Sequence, residues 1–196
     1  MGKVYEQIDS ALADWIHAQK LFFVATAPAG DAGHVNCSPK GGGTLRVLGP
    51  HEVAFLDGAG SGIETIAHVR DNGRIVIMLC AFDGSPRIIR LHGHAEVIDP
   101  THPQFKSRLA TFPHWPSARA IVRIDVTRVS DSCGYGVPLM DFRAERTESA
   151  NYVAKASDAM LVDYLLDNNQ RSLDGLPALS PAEISSTAIQ RQDGSR

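Results

Sequence analysis

His34-Val-Asn-Cys-Ser-Pro-Lys-Gly-Gly-Gly43 is a short β-prone run that ends in three glycines. Side chains alternate along a strand, so Asn36, Ser38 and Lys40 point one way while Val35 and Cys37 point the other. The polar face carries amide, hydroxyl and ammonium groups at regular intervals, which suits recognition better than simple solvation. Pro39 has no N–H to give to a ladder, so the strand ends there or lies at a sheet edge. The glycines that follow let backbone approach a bulky group closely. A flat polar ligand with a phosphate tail meets these requirements.

Two later stretches bear on the same point. Asp57-Gly-Ala-Gly-Ser-Gly62 lies between a strand ending at Leu56 and a helical run from Ile63, and the N–H groups at such a helix start attract anions. The same stretch also reads as a tight strand-to-helix turn capped by Ser61. In Arg87-Ile-Ile-Arg-Leu-His-Gly93 two guanidinium groups are available to a phosphate or a ring carbonyl. Their odd spacing puts Arg87 and Arg90 on opposite faces of a regular strand, so both serve one ligand only if Arg87 sits in the turn.

The composition narrows the class. A chain of 196 residues with 43% hydrophobic content supports one domain plus extensions. The formal charge of −3 and a pI near 6.2 give no broad cationic field, so no nucleic-acid partner is expected. No run approaches the ~18 apolar residues of a membrane span, so no membrane partner is expected either. The first residues lack the apolar core of a signal peptide, and the expected location is cytoplasmic. Cys37, Cys80 and Cys133 are too widely spaced for a disulfide framework or a Cys-x-x-Cys site and read as buried free thiols.

Along the chain, Ile8, Leu12, Trp15 and Ile16 recur at helical spacing between Tyr5 and Gln19. Leu21 to Ala27 reads as a buried strand, and Pro28 to Gly33 as the hairpin turn into the segment quoted first. Thr44 to Leu48 and Glu52 to Leu56 form a second hairpin about Gly49-Pro50. A short helix from Ile63 stops near Asn72-Gly73. Arg74 to Phe82 is continuously apolar, which predicts a central strand covered on both faces. From Arg87 to Ile98 a polar face (Arg90, His92, His94, Glu96) alternates with an apolar one (Ile89, Leu91, Ala95, Val97). Thr101 to Phe112 reads as a helix with Thr101 as its N-cap, and Ala118 to Val129 as a strand whose inward set is Val122, Ile124 and Val126.

Regularly spaced strands joined mostly by short turns favour a closed antiparallel barrel over a doubly wound sheet. Residues 1–130 form this barrel domain with its N-terminal helix, and residues 131–196 form a C-terminal helical extension with a mobile tail. Within the extension, Asp141 to Thr147 and Ala159 to Leu166 read as helices. From Gly175 onward, and more strongly after Ser180, Pro, Ser, Gln and charge dominate and predict a tail that is mobile or laid over a partner.

Asn36-Cys-Ser-Pro-Lys-Gly41, Gly58-Ala-Gly-Ser-Gly-Ile-Glu-Thr-Ile-Ala67 with Arg70-Asp-Asn-Gly-Arg74, and Arg87 to Gly93 together resemble the pyridoxamine 5′-phosphate oxidase-like, FMN-binding split-barrel family. The resemblance covers about the first two thirds of the chain, and the tail resembles an uncharacterised branch rather than the true oxidase. It implies an antiparallel split β-barrel, mainly β with flanking helices, and a homodimer with FMN at the subunit interface. It places Asn36, Cys37 and Ser38 beside the isoalloxazine with Lys40 nearby. It places Asp57, Ser61, Gly62 and Thr65 near the ribityl chain and phosphate, and Arg87 and Arg90 on the strand that completes the site.

This chain departs from the oxidase at Gly62-Ile63, where the oxidase carries an Arg-Lys pair, and it lacks the oxidase's C-terminal arginine and tryptophan substrate signature. The resemblance therefore implies an FMN-dependent oxidoreductase acting on a small molecule of unknown identity. The alternatives are a flavin- or haem-binding redox sensor without turnover and a deazaflavin-dependent reductase. No acid–base dyad or nucleophilic triad is apparent, and no catalytic residue is assigned.

Other residues have plainer readings beside the sharper ones. His92 and His94 share a strand face without a third ligand at matching spacing, so they read as an interface or cofactor-lining pair, a solvated face or a haem contact, and no metal is assigned. Cys37 reads as a thiol packed beside a ring rather than a nucleophile. Trp15 reads as core, and Trp115 as a cover over the barrel mouth or a neighbouring subunit.

Overall fold

In the computed structural model, which describes residues 2–115 and 117–193, eight strands form one antiparallel sheet. They are β1 (Val4–Tyr5), β2 (Phe22–Thr26), β3 (Asn36–Lys40), β4 (Leu45–Gly49), β5 (Glu52–Gly58), β6 (Arg74–Cys80), β7 (Ile88–Ile98) and β8 (Ala118–Ser132). The ladder runs β3-β2-β6-β7-β8-β5-β4, with β1 paired to β8. The architecture is the antiparallel split barrel, and the ladder does not close. This corrects the closed barrel expected from strand spacing. β3 ends the path, as Pro39 requires, and leaves its outer edge unpaired among the described residues.

Apolar alternation builds the interior. Helix α1 (Ser10–Ala18) is capped by Asp9, whose carboxylate accepts from Leu12 N at 2.8 Å. It buries Leu12 and Ile16, with Ile8 just before the cap, in one cluster with Phe22, Val24, Phe55, Ile77 and Leu91, while Trp15 packs at the margin, only half buried. Val122, Ile124 and Val126 point inward from β8 as the alternation predicts. β6 lies between β2 and β7, with Ile75, Ile77 and Leu79 buried on one face, while on the other Cys80 is buried and Val76 and Met78 are half exposed. The expectation that both faces are covered is thus corrected. The helix expected from Thr101 shrinks to α3 (Phe105–Leu109), because Asp99 Oδ1 accepts from both the N–H and the hydroxyl of Thr101 and holds that residue in a turn.

Helix α2 (Glu64–Asn72) ends at Gly73, which adopts φ 73° and donates to Val69 O. The extension contains α4 (Glu148–Lys155), α5 (Asp158–Asn168) and α6 (Pro181–Asp193). Residues 133–147 hold no helix, so the one expected over Asp141 to Thr147 is displaced to Glu148. The segment after Ser180 is also helical. Ser180 Oγ accepts from Glu183 N at 3.4 Å and Glu183 Oε2 accepts from Ser180 N at 2.6 Å, a reciprocal cap with Pro181 in the first turn. Arg70 on α2 ties this helix down through Glu183 Oε1 at 2.6 Å and the Ala178 carbonyl. Burial works to raise the Glu183 pKa, but the bond from Arg70 and those from Ser180 outweigh it and bring it down to about 2. Leu161, Leu165, Leu179 and Ile184 complete a second apolar cluster with Ile63, Ile66 and Ala67. For residues 194–196 the expectation of a mobile tail lies outside the described residues.

The β7–β8 register shifts between His92 and Gly93. A Cβ at Gly93 would overlap the carbonyl oxygen of Asp125, so the bulge needs a residue without a side chain. Gly93→Ala is expected to destabilise the fold by about 1–3 kcal/mol, the usual penalty of overpacking. Urea denaturation measures this, with the loss appearing in the midpoint.

Candidate functional site

The polar face of β3 turns toward the protein, so Asn36, Ser38 and Lys40 are half buried while Cys37 and Pro39 are exposed. Lys40 Nζ lies 2.6 Å from Asp57 Oδ1 on β5. The other carboxylate oxygen of Asp57 accepts from Arg119 Nε at 2.8 Å. Asp57 is 1% exposed and Arg119 5%, so this ion pair forms out of water. Burial works to raise the Asp57 pKa, but the Arg119 and Lys40 charges, aided by their hydrogen bonds, outweigh it and hold the carboxyl below its usual range.

Arg119 also shapes the glycine turn. Its Nη1 donates to Gly60 O at 3.2 Å and to Asn169 Oδ1 at 2.6 Å, and its Nη2 donates to Gly62 O at 2.7 Å. Asn169 Nδ2 donates to Gly60 O at 2.9 Å, bringing the extension into the site. With the carbonyls drawn toward Arg119, the start of α2 borders a cleft of about 270 Å³ lined by Ser38, Lys40, Asp57, Ser61, Thr65 and Arg119, with Gly58, Gly60, Gly62 and Glu64. Two cations, Lys40 and Arg119, face two carboxylates, Asp57 and Glu64. Glu64 Oε2 accepts from Ile63 N at 3.0 Å and Oε1 from Leu173 N at 3.2 Å, so a carboxylate lies against the helix start.

Lys40 also borders a second cavity, of about 830 Å³, between the β3 end and the arm 140–149. Trp115 lines it and lies close over Gly42 and Gly58. A Cβ at Gly42 would come within 2.9 Å of its ring, and one at Gly58 would overlap its Nε1. Trp115 therefore lines the larger cavity beside the glycine turn.

The structure therefore brings Ser38, Lys40, Asp57, Ser61, Gly62 and Thr65 together and sets Asn36 directly behind them, bonded to Thr65 Oγ1 at 3.0 Å. Cys37 faces outward on the sheet edge, a correction to its reading as a buried thiol, and Cys133 is likewise exposed, leaving Cys80 buried. Arg87 and Arg90 lie elsewhere. Arg87 donates to Tyr5 Oη at 2.7 Å and stacks over Trp15, and Arg90 donates to Ser132 Oγ at 3.0 Å. His92 is half buried and His94 exposed on β7, and neither lines the cleft. Burial, then Arg128 and Arg90, push the His92 pKa below its ordinary value. Glu96 accepts from Arg123 Nη1 at 3.1 Å. Among the described residues no three His, Cys, Asp or Glu side chains are grouped to hold a metal ion.

Sequence reading missed Arg119, Glu64 and Asn169. A charge inside the apolar run Ala118 to Val122 was a signal for the first, since a buried guanidinium requires a partner. Nothing local marks the other two.

Residues 8–133 match the family model described as pyridoxamine 5′-phosphate oxidase, well over half of the chain. The chain belongs to the pyridoxamine 5′-phosphate oxidase family. The family protein ustO of Aspergillus flavus is 39% identical over 198 residues, covering 91% of this chain and 78% of its own length. Two solved structures share the fold. A Lactobacillus delbrueckii protein assigned provisionally as a pyridoxamine 5′-phosphate oxidase is 20% identical at TM-score 0.51, over 65% of this chain and 98% of its own. HupZ of group A Streptococcus is 21% identical at TM-score 0.51, over 68% and 99%. Among the described residues of this family member, no helix is long and apolar enough to cross a membrane.

Asp57→Asn leaves two cations facing a neutral amide and is expected to cost about 3–5 kcal/mol at neutral pH. The folded-state pKa is lowered, so the carboxylate's contribution is present above its unfolded value near 3.8 and is lost as pH falls through the folded value. Thermal unfolding from pH 7 downward is expected to show the wild-type advantage shrinking below about pH 5.

Proposed function

We propose that this family member binds FMN and acts as an FMN-dependent oxidoreductase on a small molecule, working as a homodimer. One observation carries the reading. Hydroxyls (Ser38, Ser61, Thr65), an ammonium (Lys40) and the amides that open α2 converge on one cleft. That donor set suits a hydroxylated chain ending in phosphate. The cleft is smaller than the ~300–1,000 Å³ of pockets that engulf a whole ligand, so it fits a ribityl phosphate. The larger cavity across Lys40 offers apolar walls, among them Trp115 and Phe142, for a ring system.

Bound flavin supplies the electron chemistry, and the protein contributes binding, orientation and charge. In this reading Ser38, Ser61 and Thr65 hold the hydroxylated chain, and Lys40 offers its remaining N–H groups to an anion. Arg119 keeps the turn carbonyls away from the phosphate. Arg87 and Arg90, which lie outside the cleft of their own chain, reach a flavin only across an interface with a second copy.

Absorption and mass of the ligand released from purified protein, followed by titration with FMN and riboflavin, test the proposal. FMN is expected to bind, with the wild type preferring it over riboflavin. Lys40→Met is expected to weaken FMN binding about tenfold, the size of one charge-assisted hydrogen bond, with little effect on riboflavin. Glu64→Gln, which removes the carboxylate nearest the helix start, is expected to shift the preference the other way. A colourless protein indifferent to both compounds overturns the reading.

A further inference from the structure

Behind the cleft runs a chain of hydrogen bonds that ends on a histidine with no exposure. Ser38 Oγ, at the cleft wall, donates to Asn36 Oδ1 at 3.1 Å. Asn36 Nδ2 donates to Thr65 Oγ1 at 3.0 Å and to Thr26 Oγ1 at 3.3 Å. Thr26 Oγ1 lies 3.0 Å from Nδ1 of His68, which is 0% exposed. Among the described residues the other ring nitrogen, Nε2, is buried with no partner. Such an orphan calls for an explanation.

Donor and acceptor counting supplies one. The Asn36 amide nitrogen can only donate, so Thr26 Oγ1 accepts from it. Among the described residues the hydroxyl proton of Thr26 then has one acceptor within reach, Nδ1 of His68. If the Thr26 hydroxyl donates to it, the ring's own proton sits on Nε2. The direction propagates outward. Asn36 is held with its oxygen toward Ser38, so the Ser38 hydroxyl proton is spent and its lone pairs face the cleft. Thr65 Oγ1 accepts from Asn36, so its own proton remains free to donate.

We infer that His68 is a positioning residue which, through Thr26 and Asn36, makes Ser38 an acceptor and Thr65 a donor toward the hydroxyl groups of a bound polyhydroxylated chain. The inference rests on the flavin reading for the identity of that chain and on geometry alone for the relay. Removing the acceptor at position 68 frees the Thr26 proton to seek Asn36 Oδ1. The amide then turns over, its NH2 group meets Ser38, and the polarity of the wall inverts. The proton on Nε2 goes without a partner so that Nδ1 can face Thr26.

Two measurements on the full chain test this. Long-range ¹H–¹⁵N correlation of the imidazoles, recorded without ligand, is expected to show the His68 proton on Nε2, and Thr26→Val is expected to shift its Nδ1 resonance. A proton on Nδ1, or indifference to Thr26→Val, overturns the relay whether or not flavin binds. The second measurement is the affinity ratio of riboflavin to lumiflavin, which lacks the hydroxylated chain. His68→Leu is expected to lower that ratio about tenfold, the size of one hydrogen bond. His68→Asn, which keeps an acceptor oxygen near the Nδ1 position, is expected to retain it, and Thr26→Val combined with His68→Leu to go no lower than either alone. An unchanged ratio in His68→Leu, or an equal loss in His68→Asn, overturns the inference. If the wild type binds neither compound, the flavin reading fails and the imidazole spectrum alone decides the relay.

Discussion

The Asp57 carboxylate is buried between Lys40 Nζ and Arg119 Nε, and that pairing is the constraint on which the site depends. Desolvating three charged groups is expensive unless each finds a partner in good geometry. Here each does. Lys40 comes from the edge strand β3, far along the ladder from the adjacent strands β5 and β8 that carry Asp57 and Arg119. The ion cluster therefore holds the polar face of β3 against the glycine turn at the end of β5. Without it, Lys40 would have no reason to fold inward from an edge, and the cleft would lose one wall.

Arg119 has a second consequence. By binding the carbonyls of Gly60 and Gly62 it sets the direction in which the turn presents its polar atoms. The family resemblance implies an Arg-Lys pair in the true oxidase where this chain has Gly62-Ile63. The guanidinium that approaches the turn here comes from β8 and is fully engaged with backbone, Asp57 and Asn169. It acts as a brace for the loop, and Lys40 is left as the cation of the cleft with donors to spare. Glu64 opposes any anion at the same place, and its tie to Leu173 N links the helix start to the extension. The extension is thus part of the site through Asn169 and Leu173 as well as part of the core through Leu161, Leu165 and Ile184.

The elements with strong periodicity were legible from sequence. The 3.6-residue spacing of Ile8, Leu12 and Ile16, the alternation of Val122, Ile124 and Val126, and the Gly73 stop after α2 all appear where pattern placed them. The misplaced elements have identifiable causes. Asp141 to Thr147 has helix-compatible residues and an N-cap type in Asp141, but every residue from 141 to 147 is exposed, so no apolar face packs to hold a helix there. The segment after Ser180 looked disordered by composition, yet Ser180-Pro-Ala-Glu183 is a capping box with Pro at the first helical position. Composition outweighed a local signal that was present. Barrel closure failed for another reason, because strand count and spacing carry no information about whether the end strands pair with each other.

By itself the sequence determined the antiparallel class, the edge position of β3 and the residue types of the cleft, because these follow from alternation, the missing N–H of proline and the chemistry of side chains at fixed spacing. Tertiary structure alone decided that Lys40 and Arg119 share Asp57, that Arg87 and Arg90 face away from the cleft, and that His68 stands behind Asn36. Those relations join residues 17 to 62 positions apart or more, on strands whose order in the sheet is not their order in the chain. Local pattern fixes which way a side chain points from its own strand, and only the packing of strands and helices fixes what it meets there.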